Sequence, residues 1–448
     1  MIPRILINEL RAWSQEADRK PLILRGARQV GKTTIVRQFA KEFDQYIEMN
    51  LEKPEERRIF ESDYSFDKLL DAIFFIKNAN KSVARTLIFI DEVQNSPQAV
   101  VNLRYFYEES PHLFVIAAGS LLETLISKRI SFPVGRVDYL AVRPCSFKEF
   151  LLATGQEKFA GLIDDIEIPE YAHDTLMELF RRYSIVGGMP EVLNHFSQNQ
   201  DINALAKIYD RLIVSYQDDM EKYADTALKE NTLRHIMGSA FQYAGQRITF
   251  DKFGGSNYRS REMSEAFKTL EKAMLLRLVY PVTSVTIPAE EKPRRSPKLI
   301  LLDTGLVNYT SGTQKQLFLS HRIDEVYKGK IAEHIAAQEL LATKHSVRAK
   351  LNFWVREDRN SQAETDFVLP FDDCLIPLEV KSGAGGKLRS LQKFMDAAPH
   401  HLAMRIYSGK MMTEHLSTIE GKAFKLISLP FYLISQVERI ISKHFDNQ

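Results

Sequence analysis

The sequence predicts an α/β fold: a parallel-sheet core at the N-terminus, a helical segment, and a second α/β part at the C-terminus. Three observations carry that expectation. Over the first 155 residues, short and nearly continuous apolar runs alternate with amphipathic helical stretches, the pattern of a sheet covered on both faces. From Lys158 to about Tyr223 the pattern is helical alone. After about Val326 a helix returns, followed by strand-like runs near Asn352–Val355, Thr365–Leu369 and Ile376–Val380.

The elements follow in order. Pro21–Arg25 (PLILR) reads as the first strand, then come a glycine-containing loop and a helix from about Lys32 to Phe43. Thr86–Ile90 (TLIFI) and Leu113–Ala117 (LFVIA) read as central strands buried on both faces. Composition agrees with a folded chain: 448 residues, 44% hydrophobic and 26% charged, exclude a disordered or low-complexity protein. Sixty Lys and Arg against 58 Asp and Glu give a net charge of +2, so any nucleic-acid surface has to be local. The two cysteines, Cys145 and Cys374, exclude a disulfide framework and a Cys-rich zinc site, and point to an intracellular chain. No run reaches the ~18 consecutive apolar residues of a membrane span, and Glu9 and Arg11 interrupt the N-terminus where a signal peptide is apolar. The expectation is a cytoplasmic protein with no membrane partner.

Gly26-Ala27-Arg28-Gln29-Val30-Gly31-Lys32-Thr33 fits G-x-x-x-x-G-K-[ST] in full, between a predicted strand and a predicted helix. Glycines let backbone N–H groups converge on phosphate oxygens, and the helix N-terminus adds partial positive charge. Lys32 would reach the β- and γ-phosphates of ATP, Thr33 would ligate Mg²⁺, and Thr34 completes the phosphate-binding set. The strand Leu87-Ile88-Phe89-Ile90 ends in Asp91 and Glu92. Asp91 would hold the Mg²⁺ and Glu92 would orient or deprotonate the attacking water. Ser120, at the end of the next strand, either senses the γ-phosphate or belongs to a strand-end turn. Arg136, in Phe132-Pro133-Val134-Gly135-Arg136, is either an arginine finger acting in cis or on a neighbouring copy, which would make the chain a homo-oligomer, or a surface salt-bridge residue.

These stretches, together with Phe89-Ile90-Asp91-Glu92-Val93-Gln94, Ala118-Gly119-Ser120, Arg143-Pro144-Cys145-Ser146-Phe147 with Glu149-Phe150-Leu151, Gly187-Gly188-Met189-Pro190-Glu191 and Leu302-Asp303-Thr304-Gly305-Leu306, resemble the prokaryotic AAA+-like P-loop ATPases that carry a C-terminal domain of originally unknown function. The resemblance runs over essentially the whole chain. It implies that the Gly188-Met189-Pro190 turn of a helical lid approaches the adenine, which makes Pro190 a candidate binding residue; a plain helix break is the alternative.

In the middle, Ile248-Thr249-Phe250, Gly254-Gly255 and the helix after Arg259-Ser260-Arg261 look like a helix–turn–helix followed by a β-hairpin, with Glu290–Pro297 as a basic wing. Such a segment binds either DNA or another protein. At the C-terminus, Asp366 opens one strand-like run and Glu379-Val380-Lys381 closes another after twelve intervening residues. Residues two apart on a strand share a face, so Glu379 and Lys381 point the same way. This looks like the PD-(D/E)XK nuclease signature, in which Asp366 and Glu379 bind a divalent cation and Lys381 positions or activates water. Glu333 projects from the apolar stripe Ala336, Ala337 and Leu340 of its helix, where a carboxylate is costly unless paired or bound to a cation. The alternative for this set is a mutual ion-pair cluster. The expected whole is a P-loop NTPase core (1–155), a helical lid (156–225), a winged-helix-like segment (226–325) and a restriction-endonuclease-like α/β domain (326–448).

Overall fold

The computed structural model describes residues 2–119, 133, 135–319, 330–357, 363–383 and 388–445. Strands β1 (Leu22–Arg25), β2 (Gln45–Asn50), β3 (Thr86–Asp91), β4 (Phe114–Gly119) and β5 (Asp138–Ala141) form a five-stranded sheet in the order β2-β3-β4-β1-β5. Every neighbouring pair is parallel. Alternation along the strands explains the continuous apolar runs. Leu22, Leu24, Leu87, Phe89 and Ile116 enter one core, while Ile23, Ile88, Ile90, Val115 and Ala117 enter the core on the opposite face. In a sheet of this kind ligands bind beyond the carboxyl ends of the strands, where β1 releases its glycine loop and β3 ends in Asp91.

Local signals set the helix boundaries. Ser96 caps the helix Pro97–Glu109, its side chain accepting from the Ala99 N–H, and Pro97 takes the first helical turn, where its missing N–H costs nothing. The Arg143-to-Phe147 stretch acquires a physical meaning: Ser146 and Glu149 form a reciprocal capping box at the start of the helix Phe147–Ala153. The helix after the phosphate loop is shorter than expected. It runs Lys32–Phe39 and tightens into a 3₁₀ turn at Ala40–Glu42.

Helices dominate from residue 147 to 272, including His173–Val186, Pro190–Asn199, Ala206–Asp218, Ala227–Ser239 and Ser260–Lys272. Then come β6 (Leu276–Val282), β7 (Lys298–Leu301), β8 (Asn352–Val355), β9 (Glu364–Phe371), β10 (Cys374–Val380), β11 (Leu402–Tyr407), β12 (Met412–Ser417) and β13 (Ala423–Pro430). They make one eight-stranded mixed sheet in the order β12-β13-β11-β10-β9-β8-β6-β7. The hairpin read as a wing is therefore the edge of this sheet: β6 pairs antiparallel with β7 and parallel with β8. Both acidic side chains of its connecting loop are paired. Glu290 pairs with Lys292 at 2.8 Å, and Glu291 with Lys350 at 3.1 Å.

One face of the second sheet, through Phe353, Phe367, Ile376, Leu378 and Met404, shares a continuous core with the helices between the two sheets and with one face of the first sheet. The other face packs Trp354, Val368, Leu375 and Ala403 against Leu391 and Phe394 of the helix Arg389–Ala397. The helix Lys330–Ala342 joins the shared core through Ile335, Ala336, Ala337 and Leu340. Among the described residues, no helix is long and apolar enough to cross a membrane.

Candidate functional site

The phosphate loop turns at Gly31, whose φ of 92° is a left-handed value that a side chain would strain. Lys32 is buried and folds back on its own loop, donating to the carbonyls of Gly26 (2.9 Å) and Ala27 (2.8 Å). Burial lowers its pKa to about 8, against the pull of Glu92 and Asp91. The Thr33 hydroxyl donates to Asp91 Oδ2 at 2.7 Å. That pair sets a hydroxyl and a carboxylate side by side, a donor set suited to a hard cation. Burial raises the Asp91 pKa, against the hydrogen bonds from Thr33 and the Glu92 N–H and the charge of Lys32. Glu92 sits at a left-handed φ of 52°, and its carboxylate accepts from Gln94 Nε2.

Beside the loop lies a cleft of about 540 Å³, lined among others by Arg28, Gln29, Gly31, Lys32, Thr33, Thr34, Glu92 and Pro190. That volume is within the usual range for small-molecule sites, ~300–1,000 Å³. Most of the expected phosphate-site residues thus come together. Gly26, Ala27 and Val30 act through their backbone: the first two receive Lys32, and the Val30 carbonyl accepts from Arg4 Nη1 at 2.9 Å. Arg28 reaches away to Asp219 at 2.8 Å, tying the loop to the end of the helix Ala206–Asp218. Arg136 does not line the cleft; its guanidinium stands in an exposed 2.8 Å ion pair with Glu108. Ser120 lies outside the described residues.

Sequence reasoning missed several contributors. Arg4, its side chain 7% exposed, joins the loop to Glu149 of the capping box at 2.9 Å, and Ile2, Glu191 and Asn194 also line the cleft. The Gly187–Pro190 turn is held from 115 positions further along the chain. Asp303 caps the helix Thr304–Thr310 and accepts from the Gly188 N–H at 2.6 Å. Burial pushes its pKa up to about 6. Glu339 accepts from Tyr183 OH (2.6 Å) and the Phe147 N–H (3.0 Å), and burial pushes it up to about 7. Gln338 donates to Tyr183 OH and accepts from the Thr304 N–H.

At the C-terminal site, Lys381 Nζ pairs with Glu379 Oε1 at 2.5 Å, as alternation requires for residues two apart. Asp366 Oδ2 accepts from the Val380 N–H at 2.8 Å, which seats β9 against the end of β10. Burial, reinforced by the charge of Asp366, pushes Glu379 up to about 7. Glu333 is likewise pushed up to about 7 by burial, although Lys298 opposes the shift. The four expected side chains therefore share one neighbourhood. The surprise is Lys298 of β7, whose ammonium lies 2.7 Å from Glu333, 3.0 Å from Glu364 and 3.6 Å from Asp366. Among the described residues, no group of three or more His, Cys, Asp or Glu is arranged to hold a metal ion. The donor set does not fit a divalent cation, because Glu333, Glu364 and Asp366 converge on the Lys298 ammonium and Glu379 is paired with a second, that of Lys381.

Comparison with known proteins bears on the first site. Residues 18–151 match the model of an AAA domain. Residues 177–317 and 328–432 match two domains of unknown function (DUF8612 and DUF4143). No curated protein gives a match. Among solved structures, the chain is similar to the Walker-type ATPase PABY2304 of Pyrococcus abyssi, at 14% identity over 69% of this chain and 96% of that one, with a TM-score of 0.45. It is also similar to PCH-2 of C. elegans, at 13% identity over 40% of this chain and 56% of that one, with a TM-score of 0.26. The AAA-domain match spans the same residues that build the parallel sheet, the complete phosphate loop and the Thr33–Asp91 pair, and it supports a P-loop ATPase family for this part of the chain.

Proposed function

We propose that the chain is an ATP-hydrolysing switch: ATP with Mg²⁺ binds in the cleft beside the phosphate loop, and the nucleotide state is felt by the C-terminal sheet. The observation that carries the first half is the Thr33–Asp91 pair at 2.7 Å beside the buried Lys32. Lys32 would exchange its two carbonyl acceptors for phosphate oxygens, and Thr33 and Asp91 would hold the cation. Bound there, Mg²⁺ supplies charge neutralisation for the phosphates. Glu92, fixed by Gln94, would align water and accept its proton. The second half rests on the lid. Pro190 lines the cleft, and two residues earlier the Gly188 N–H is held by Asp303, which leads out of β7. The resemblance to a metal-dependent nuclease is set behind this reading because Glu333, Glu364 and Asp366 converge on Lys298 and Glu379 on Lys381.

The test is calorimetry of ATP with the nucleotide-free chain. Lys32→Ala should abolish measurable binding by removing a charge-assisted contact. Since Lys32 must be charged to hold phosphate and its pKa is about 8, wild-type affinity should fall about tenfold between about pH 7 and about pH 9. Unchanged affinity in Lys32→Ala would refute the site. DNA is a second proposed partner on one observation: Arg259 and Arg261 stand exposed at the start of the helix Ser260–Lys272, with the Arg261 side chain 88% exposed. A salt-sensitive gel shift weakened by replacing both arginines with alanine supports that partner; no shift, or one the arginines do not affect, removes it.

A further inference from the structure

Lys298 opens β7, every residue of which is buried, and its side chain is only 3% exposed. Burying an ammonium is expensive unless it is paired and hydrogen-bonded. Here the pairing is abundant. Glu333 accepts at 2.7 Å, Glu364 lies at 3.0 Å, Asp366 Oδ1 at 3.6 Å, and the Asp366 carbonyl accepts at 3.3 Å. The ammonium also sits 4.9 Å from the Phe353 ring centre and 5.7 Å from that of Phe367, so aromatic faces help to fix its position. Arg247, bridged to Lys298 through the backbone, adds a second cation on Glu364 at 3.2 Å. On the other side of Asp366, Lys381 holds Glu379, whose second oxygen is buried without a partner.

We infer that Lys298 is the resident cation of this cluster: its ammonium neutralises Glu333, Glu364 and Asp366 in the place a divalent metal would take, and closes the site to Mg²⁺. A divalent ion needs oxygens at ~2.0–2.1 Å in a near-octahedral shell. It cannot gather Glu333 and Asp366 while an ammonium stands between them, because two cations a few ångströms apart in a poorly solvated pocket repel strongly. The lysine comes from the edge strand β7, whereas its partners come from β9 and the helix Lys330–Ala342. The cluster is thus an ionic hub that ties the edge strand β7, and with it Asp303 just beyond the strand, to β9 in the interior of the same sheet and to the helix Lys330–Ala342. This inference stands independently of the ATP reading.

The experiment is a Mn²⁺ titration of the full, nucleotide-free chain followed by electron paramagnetic resonance, with Asp91→Asn in every sample to silence the phosphate-loop cation site. The chain with Lys298 intact should bind no Mn²⁺ that depends on Asp366 up to ~1 mM, the weak end of protein cation sites. Lys298→Met should gain one such ion per chain, at least roughly tenfold tighter than that limit, and a further Asp366→Asn change should remove it again. Since Lys298→Met leaves buried carboxylates unpaired, the double change Lys298→Met with Glu364→Gln is titrated in parallel, carrying less uncompensated charge. Asp366-dependent Mn²⁺ binding with Lys298 in place would overturn the inference whatever the variants do. A folded Lys298→Met chain that gains no Mn²⁺ would overturn it equally.

Discussion

Replacing Gly188 with alanine probes the coupling of the Gly187–Pro190 turn to the rest of the chain. A Cβ at this position would meet the Cys145 carbonyl oxygen at 2.1 Å and the Cys145 nitrogen at 2.9 Å, both backbone atoms that cannot swing away. Relief requires the turn to move by about an ångström, since ordinary carbon contacts begin near ~3.4 Å. That movement breaks two short bonds, Cys145 N–H to Gly188 O at 2.7 Å and Gly188 N–H to Asp303 Oδ2 at 2.6 Å. Leaving buried partners unsatisfied costs about 1–3 kcal/mol each, towards the upper end where the acceptor is a carboxylate. Together they amount to roughly 3–5 kcal/mol, and with an unfolding entropy of ~2.1 cal/mol/K per residue over 448 residues, about 1 °C per kcal/mol, the thermal midpoint should drop by roughly 3–5 °C. Pro190 shifts with the turn, so ATP affinity should fall as well. Differential scanning fluorimetry and ATP calorimetry on the same sample check both effects. A midpoint within about 2 °C of wild type, with unchanged ATP affinity, would refute the argument from close approach.

Two further outcomes follow from the geometry. Glu339 is buried with its pKa raised to about 7, so the stability it contributes is present below its ordinary value of 4.5 and lost as pH rises through about 7. Glu339→Gln keeps the acceptor for Tyr183 and Phe147 without the charge; relative to wild type it should therefore gain roughly 2 kcal/mol between about pH 5 and about pH 8, and urea denaturation at the two pH values checks this. Arg136→Ala removes only an exposed ion pair and should leave the thermal midpoint unchanged. If Arg136 serves a neighbouring copy, wild-type ATP turnover per chain should rise with protein concentration and that rise should vanish in the variant; a flat profile in wild type points to a monomer or to action in cis.

Legibility in the sequence followed the range of the interactions. The phosphate loop is eight consecutive residues whose chemistry is local, so its pattern could be read directly, and most of it lines or frames the cleft. The central strands were readable because burial on both faces leaves an unbroken apolar run. Glu379 and Lys381 were readable because strand alternation alone pairs them. The reasoning on Glu333 was correct in kind, since a carboxylate on an apolar stripe needs a counter-charge; the cation turned out to be Lys298, 35 positions earlier, and no local pattern marks it. Glu364 stands two residues before Asp366, hence on the same face, and meets the same ammonium. Arg4 reaches Glu149 across 145 positions and Gly188 reaches Asp303 across 115, distances over which periodicity carries no information. The β6–β7 hairpin was read correctly as a pair of strands. Its place at the edge of the larger sheet depends on pairing with β8, which only the folded chain reveals.

The central claim is ATP hydrolysis at the phosphate loop with Glu92 as the group that activates water. It is tested most directly by single-turnover hydrolysis of ATP in the presence of Mg²⁺, comparing the wild-type chain with Glu92→Gln at saturating protein. The account predicts that both bind ATP with the same affinity and that the glutamine variant cleaves it at least ~10²-fold more slowly, the usual scale for loss of a general base. Equal cleavage rates in the two proteins, or ATP bound by the wild type and never hydrolysed, would contradict it.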